Sequence, residues 1–209
     1  MIWKDKIKVT VKRLHNQENR IDGAYVDLLI QEQNILTRIS FPRIIQLVGI
    51  SKTPNLESQS LVFEPVRFGS LHNIVHESLK SFSLRSILEI ISHVCDALIY
   101  LHEQRIIHCY VNSHSILLVD SHTPKLANFE YAVERAVDPK LQKKSRVVEN
   151  VYTNCAFNWL APEIMDGDLP TYASDMYGYC SVIWELFNSK FGSFDIGHRL
   201  LAKTVHFEL

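Results

Sequence analysis

The 209-residue chain is 46% hydrophobic, 22% charged and 10% aromatic, which excludes a disordered chain and allows a sizeable core in one or two domains. Its 22 Lys and Arg against 23 Asp and Glu leave a net charge of -1, with no bulk attraction to nucleic acid or an anionic membrane; Lys143, Lys144 and Arg146 read as a solvated basic cluster. Charged Lys4, Asp5 and Lys6 near the start argue against a signal peptide, no apolar run suits a membrane span, and Cys95, Cys109, Cys155 and Cys180 lack metal-ligand spacing, so the expectation is a cytoplasmic protein with reduced thiols and no metal.

Residues 7–14 alternate apolar and polar in a β-branched run, a half-buried strand pattern. Over residues 24–39 the period becomes helical, through Tyr25, Leu28, Leu29, Glu32, Ile35, Leu36 and Ile39, with Asp22 and Gly23 before it and Pro42 after it. Ile44–Ile50 and Leu61–Phe63 read as strands on either side of a polar loop. Past Gly69 and Ser70 a short helix is expected at Leu71–Val75. A long one follows at Leu84–His102, with Ile87, Leu88, Ile91, Val94, Cys95, Leu98 and Leu101 on its apolar face. Strand-like pieces are Ile106-Ile107, Ile116–Val119 and Lys125–Ala127. Residues 133–155 are polar and aperiodic, predicting a long exposed loop, and Ala173–Phe187 predicts an apolar helix. The pattern is α+β, strand-rich and then helical, with its boundary near Glu64–Gly69.

Ile107-His108-Cys109-Tyr110-Val111-Asn112-Ser113-His114-Ser115-Ile116-Leu117-Leu118 resembles the catalytic loop of protein kinases, usually H-R-D-L-K-P-E-N-I-L-L. Asn128-Phe129-Glu130 stands where that family has D-F-G, and Ala161-Pro162-Glu163 matches A-P-E. Ser174-Asp175-Met176-Tyr177-Gly178, followed by Trp184-Glu185-Leu186, resembles the central buried helix. Val9-Thr10-Val11-Lys12 resembles V-A-I-K, with Glu32 at the helix glutamate. The motifs run in kinase order over essentially the whole chain. The resemblance implies a two-lobe protein-kinase-like fold, incomplete at both ends, with a β-rich N-lobe at 1–66 and a helical C-lobe at 67–209. Trp3 and the Trp184-Glu185-Leu186 helix suggest the tyrosine-kinase-like branch. Asn128–Tyr131 and Phe157–Glu163 are similar to the testis-expressed pseudokinases of germ-cell intercellular bridges, which implies a midbody or bridge setting.

Phosphoryl transfer depends on positioning and charge neutralisation, so the substitutions within this resemblance decide the chemistry. Tyr110 replaces the catalytic aspartate with a phenol whose ordinary pKa is about 10. Asn112 replaces the loop lysine, Ser115 the metal-binding asparagine, and Asn128 the principal magnesium ligand. Glu130 replaces the D-F-G glycine; it would have to point inward to hold a metal, and is expected not to. Cys109 replaces the phosphate-clamping arginine and reads as an inert thiol, a nucleophilic role being the alternative.

Lys12 and Glu32 are expected to pair. Leu36, Leu47, His108, Phe129 and Asp175 fall on the column that joins the lobes, which makes His108 a packed core residue. Phe63 falls at the gatekeeper, with Glu64-Pro65-Val66 as hinge and Leu117 lining the nucleotide pocket. Thr10 crowds the adenine position and Pro65 removes a hinge N–H. Glu163 is expected to lack its usual arginine partner. The expectation is a scaffold that binds other proteins and needs no cofactor, with weak, metal-independent ATP binding through Lys12 left open. An atypical kinase using Glu130, and a fragment without independent function, are the alternatives.

Overall fold

The computed structural model describes residues 8–13, 23–52, 59–77, 82–147 and 157–188. Trp3, Asp22, Cys155 and the stretch 189–209 lie outside them, as does the question of a partner for Glu163 from that last stretch.

Three strands form one antiparallel sheet in the order β1-β3-β2: β1 (Thr10–Arg13), β2 (Leu47–Lys52) and β3 (Gln59–Phe63). The register sets Thr10 opposite Phe63 and Lys12 opposite Leu61, and a bulge between Leu47 and Gly49 bends β2. The alternation of β1 runs opposite to the hydrophobic rule. Val9 and Val11 are 44% and 39% exposed, while Thr10 and Lys12 turn inward. A strand that presents polar groups to the interior forgoes apolar burial, and its inward groups must find partners there. Helix α1 (Gly23–Leu36) packs behind the sheet, burying Leu28, Leu29, Glu32, Ile35 and Leu36.

The helical lobe follows. Ser70 caps α2 (Leu71–His76) by accepting the Asn73 N–H, and Ser83 caps α3 (Leu84–Glu103) by accepting the Ser86 N–H. The buried stripe of α3 is Ile87, Ile90, Val94, Ala97, Leu98 and Leu101, at intervals of three and four. Leu88, expected on that face, is instead 54% exposed, and Ile90 takes its place. Two small antiparallel pairs carry the central loops: β4 (Ile106–Ile107) pairs with β7 (Val133–Glu134), and between them in the chain β5 (Ile116–Leu118) forms a hairpin with β6 (Pro124–Leu126). Helix α4 (Pro162–Met165) has proline in its first turn, and α5 (Tyr172–Asn188) runs through the base of the lobe.

The segment from residue 133 is exposed over most of its described length, as its polarity predicts, but two of its valines are buried. Val133 pairs with Ile107, and Val147, 1% exposed, packs with Leu28, Tyr110, Tyr131 and Leu160. Isolated valines in a polar stretch carry no periodicity, so burial there comes from tertiary contact alone. Gly178 lets α5 touch the loop above it: a Cβ there would stand 2.4 Å from the Val111 carbonyl oxygen.

Candidate functional site

β1 carries Lys12 to the junction of the lobes. An ammonium offers three hydrogens, and three acceptors surround it: Glu32 Oε2 at 2.7 Å, Glu130 Oε2 at 2.8 Å and Asn128 Oδ1 at 3.2 Å. Burial pulls the Lys12 pKa down, but the charges of Glu130 and Glu32 outweigh it and hold the group protonated above its usual 10.5. Glu32 is 1% exposed and also accepts the Phe129 N–H at 3.1 Å; burial raises its pKa, and the Lys12 charge and these two donors work against that rise. Glu130 therefore points inward, contrary to expectation. The cause is Lys12, which draws in a carboxylate that a glycine could not supply. Two acidic side chains already occupy Lys12, so an incoming phosphate would have to displace them, and a metal would have to compete with Lys12 for Glu130.

The hinge is also satisfied from within. The Val66 N–H donates to Thr10 Oγ1 at 2.8 Å, the Glu64 N–H donates to the Gln46 carbonyl at 3.1 Å, and Pro65 has no N–H. Thr10, expected only to crowd the adenine position, uses its hydroxyl to take the Val66 N–H. Phe63 is buried beside it and Leu117 half-buried below. The Glu64 carboxylate is held by Lys125 at 2.6 Å.

The loop at 108–115 is knit to its own backbone. Asn112 accepts the Ser115 N–H at 3.0 Å and donates to the Tyr110 carbonyl at 3.0 Å, capping the turn at Ser113–Ser115. The Ser115 hydroxyl donates to the same amide oxygen. Tyr110, 6% exposed, packs its ring against Tyr131 with centroids 5.0 Å apart. Asn128 adopts the left-handed conformation, φ 64°, which asparagine tolerates better than most residues. Burial first, and then the Asp175 charge, push the Cys109 thiol well above its ordinary value, which keeps it protonated.

Beneath the loop, Asp175 accepts the N–H of His108 and of Cys109, each at 2.8 Å, and faces His102 Nε2 at 2.9 Å. These bonds hold Cys109 at φ 63°. His108 is fully buried between two backbone groups. Nε2 lies 2.9 Å from the Ala127 carbonyl, which only accepts, and the Tyr110 N–H, which only donates, is 3.2 Å from Nδ1. The ring is therefore the neutral Nε2–H tautomer, and burial lowers its pKa in the same sense. Phe129 meets His108 edge-on at 4.8 Å and shares the core with Leu36, with Leu47 packed against it. Glu163 sits half-buried in the first turn of α4.

The model for protein tyrosine and serine/threonine kinases matches residues 2–196. The chain belongs to that family. Among its kinase-family relatives, the bovine inactive serine/threonine-protein kinase TEX14 is 31% identical over 193 residues, which cover 89% of this chain and 12% of the relative. The Caenorhabditis elegans inactive tyrosine-protein kinase kin-32 is 28% identical over 188 residues, covering 88% of this chain and 20% of the relative. Chicken tyrosine-protein kinase SYK is 26% identical over 180 residues, covering 86% and 28%. The chain spans about an eighth of the length of the TEX14 relative.

Sequence reasoning missed the Thr10–Val66 bond and a second cluster, in the helical lobe, of His72, His76, His114 and Glu185. The spacing of His72 and His76, four apart on a helix, was the available signal.

Proposed function

We propose that this kinase-family domain does not transfer phosphate and works by binding other proteins. The observation that carries the reading is the occupancy of Lys12: three protein oxygens hold the one cation that would grip a nucleotide's phosphates. The hinge donors are spent on Thr10 and Gln46, and the position of the catalytic base holds a buried tyrosine. The names of the TEX14 and kin-32 relatives support the same reading. ATP binding, in this reading, is weak and metal-independent. The sequence resemblance to bridge pseudokinases supports a cytoplasmic scaffold in dividing cells.

For a binding face, a cleft of about 920 Å³ between α1 and residues 132–146 is favoured. Arg38, Arg105, Arg135, Lys143 and Arg146 line it against only two acids, Asp27 and Glu134, which pair with Arg146 and Arg38. The surplus of positive charge, with Val137 and Leu141 exposed at its edge, suits an acidic protein segment carrying apolar residues.

The inward carboxylate of Glu130 favours one other reading, an atypical kinase with residual metal-dependent transfer. Thermal unfolding with ATP, with and without Mg²⁺, separates the two. The proposal expects no Mg²⁺-dependent stabilisation of the native chain. It also expects a gain of nucleotide binding when Thr10→Ala and Glu130→Gly together release the hinge and Lys12. Steady, Mg²⁺-requiring transfer of γ-phosphate that is lost in Lys12→Ala would refute it.

A further inference from the structure

A cluster in the helical lobe serves neither the Lys12 network nor the basic cleft. His72 and His76 lie four residues apart on α2 and so share one face. Glu185 of α5 meets them there. One ring nitrogen of each histidine and one Glu185 oxygen all lie within 4.8 Å of one another. The carboxylate is 1% exposed and held in place: the Trp159 Nε1–H donates to Oε2 at 3.0 Å, and the Ser113 hydroxyl donates to Oε1 at 2.8 Å. His76 Nε2 is 2.7 Å from Oε1. His114 stacks on His72 with ring centroids 3.7 Å apart and walls the cluster on that side.

Among the described residues, Nδ1 of His72 is buried and has no hydrogen-bond partner. Such an orphan is rare in folded proteins and calls for an explanation. A cation that takes lone pairs from imidazole and carboxylate together answers three features at once: the clustered donors, the fixed carboxylate and the unpartnered ring nitrogen.

We propose that His72, His76 and Glu185 bind a zinc ion that ties α2 to α5. Two imidazoles and a carboxylate are a zinc-type donor set, whereas Mg²⁺ and Ca²⁺ favour oxygen alone. Ligand atoms on a tetrahedral zinc stand about 3.3 Å apart. Binding therefore moves His76 and Glu185 slightly apart and draws the wider pair together. Water completes the coordination, and Trp159 and Ser113 orient the carboxylate from outside it. Zinc displaces the proton shared by His76 and Glu185. No ligand belongs to the Lys12 cluster, so this site stands or falls independently of phosphotransfer.

The experiment strips the chain with chelator, adds Zn²⁺ or Mg²⁺, and follows thermal unfolding together with metal content. One equivalent of zinc is expected to remain bound and raise Tm by about 5 °C or more, with no effect of Mg²⁺. His72→Ala and His76→Ala should each weaken zinc binding at least about tenfold, while His122→Ala, at an exposed histidine, should leave it intact. Co²⁺ in the wild-type chain should show the intense visible absorption of a four-coordinate site, a readout that stands even where an alanine variant fails to fold. Zinc retention unchanged in both alanine variants, no zinc-dependent rise in Tm, or six-coordinate Co²⁺ overturns the assignment.

Discussion

Two polar networks flank the central loop, one above it and one beneath it, and they are built from different materials. Around Asp175, one carboxylate receives two main-chain N–H groups and a histidine. Around Lys12, one ammonium faces three side-chain oxygens. Main-chain donors have fixed positions, so the Asp175 network defines the path of the loop at 108–115 and admits no substitute. Side-chain acceptors can swing away, so the Lys12 network fills a space where a ligand's groups would otherwise sit. The lower network is architecture, whereas the upper one is an internal replacement for a bound molecule.

Four measurements sharpen or break that contrast. Asp175→Ala strands two buried N–H groups and relaxes the left-handed Cys109, so stability in urea should fall by about 3–5 kcal/mol. A loss below about 1 kcal/mol would deny the network its architectural role. Gly178→Ala drives a methyl against the Val111 carbonyl of the same loop and should cost about 2–3 kcal/mol; near-neutral unfolding would mean that helix and loop can separate.

Lys12→Met leaves Glu32 buried beside Glu130 without a cation. With Lys12 about a third exposed, the loss should be about 1–3 kcal/mol in the absence of any nucleotide. An unchanged midpoint would show that nothing holds the cluster together. The smallest effect comes from acid. The folded pKa of His108 lies below its ordinary 6.5, so the unfolded chain takes up the proton first. Its contribution is complete above pH 6.5 and declines as pH falls through the folded value. Unfolding midpoints measured from pH 7 downward should drop, and less steeply in His108→Phe.

The fold was readable because its signals are periodic or ordered: the stripe of α3 and the spacing of motifs from Lys12 to Asp175. The family resemblance also located Asn112 and Asn128. What stayed hidden depended on direction. In Val9-Thr10-Val11-Lys12 the hydrophobic rule points the wrong way, and only the family resemblance turns Thr10 and Lys12 inward. Glu130 was misjudged because a carboxylate next to a core phenylalanine reads as solvent-facing unless a cation 118 residues earlier in the chain is brought to it. The burial of Val147 and the meeting of α2 with Glu185 likewise arise from tertiary closure alone.

The internal ligation of Lys12 has a consequence for how the domain behaves in a cell. Glu32 tethers α1 to the rest of the molecule through contacts the chain supplies itself, with no need for a nucleotide to arrive. On the reading proposed above, its shape would stay the same whether ATP were plentiful or scarce, and a partner would meet one constant surface in fed and starved cells alike.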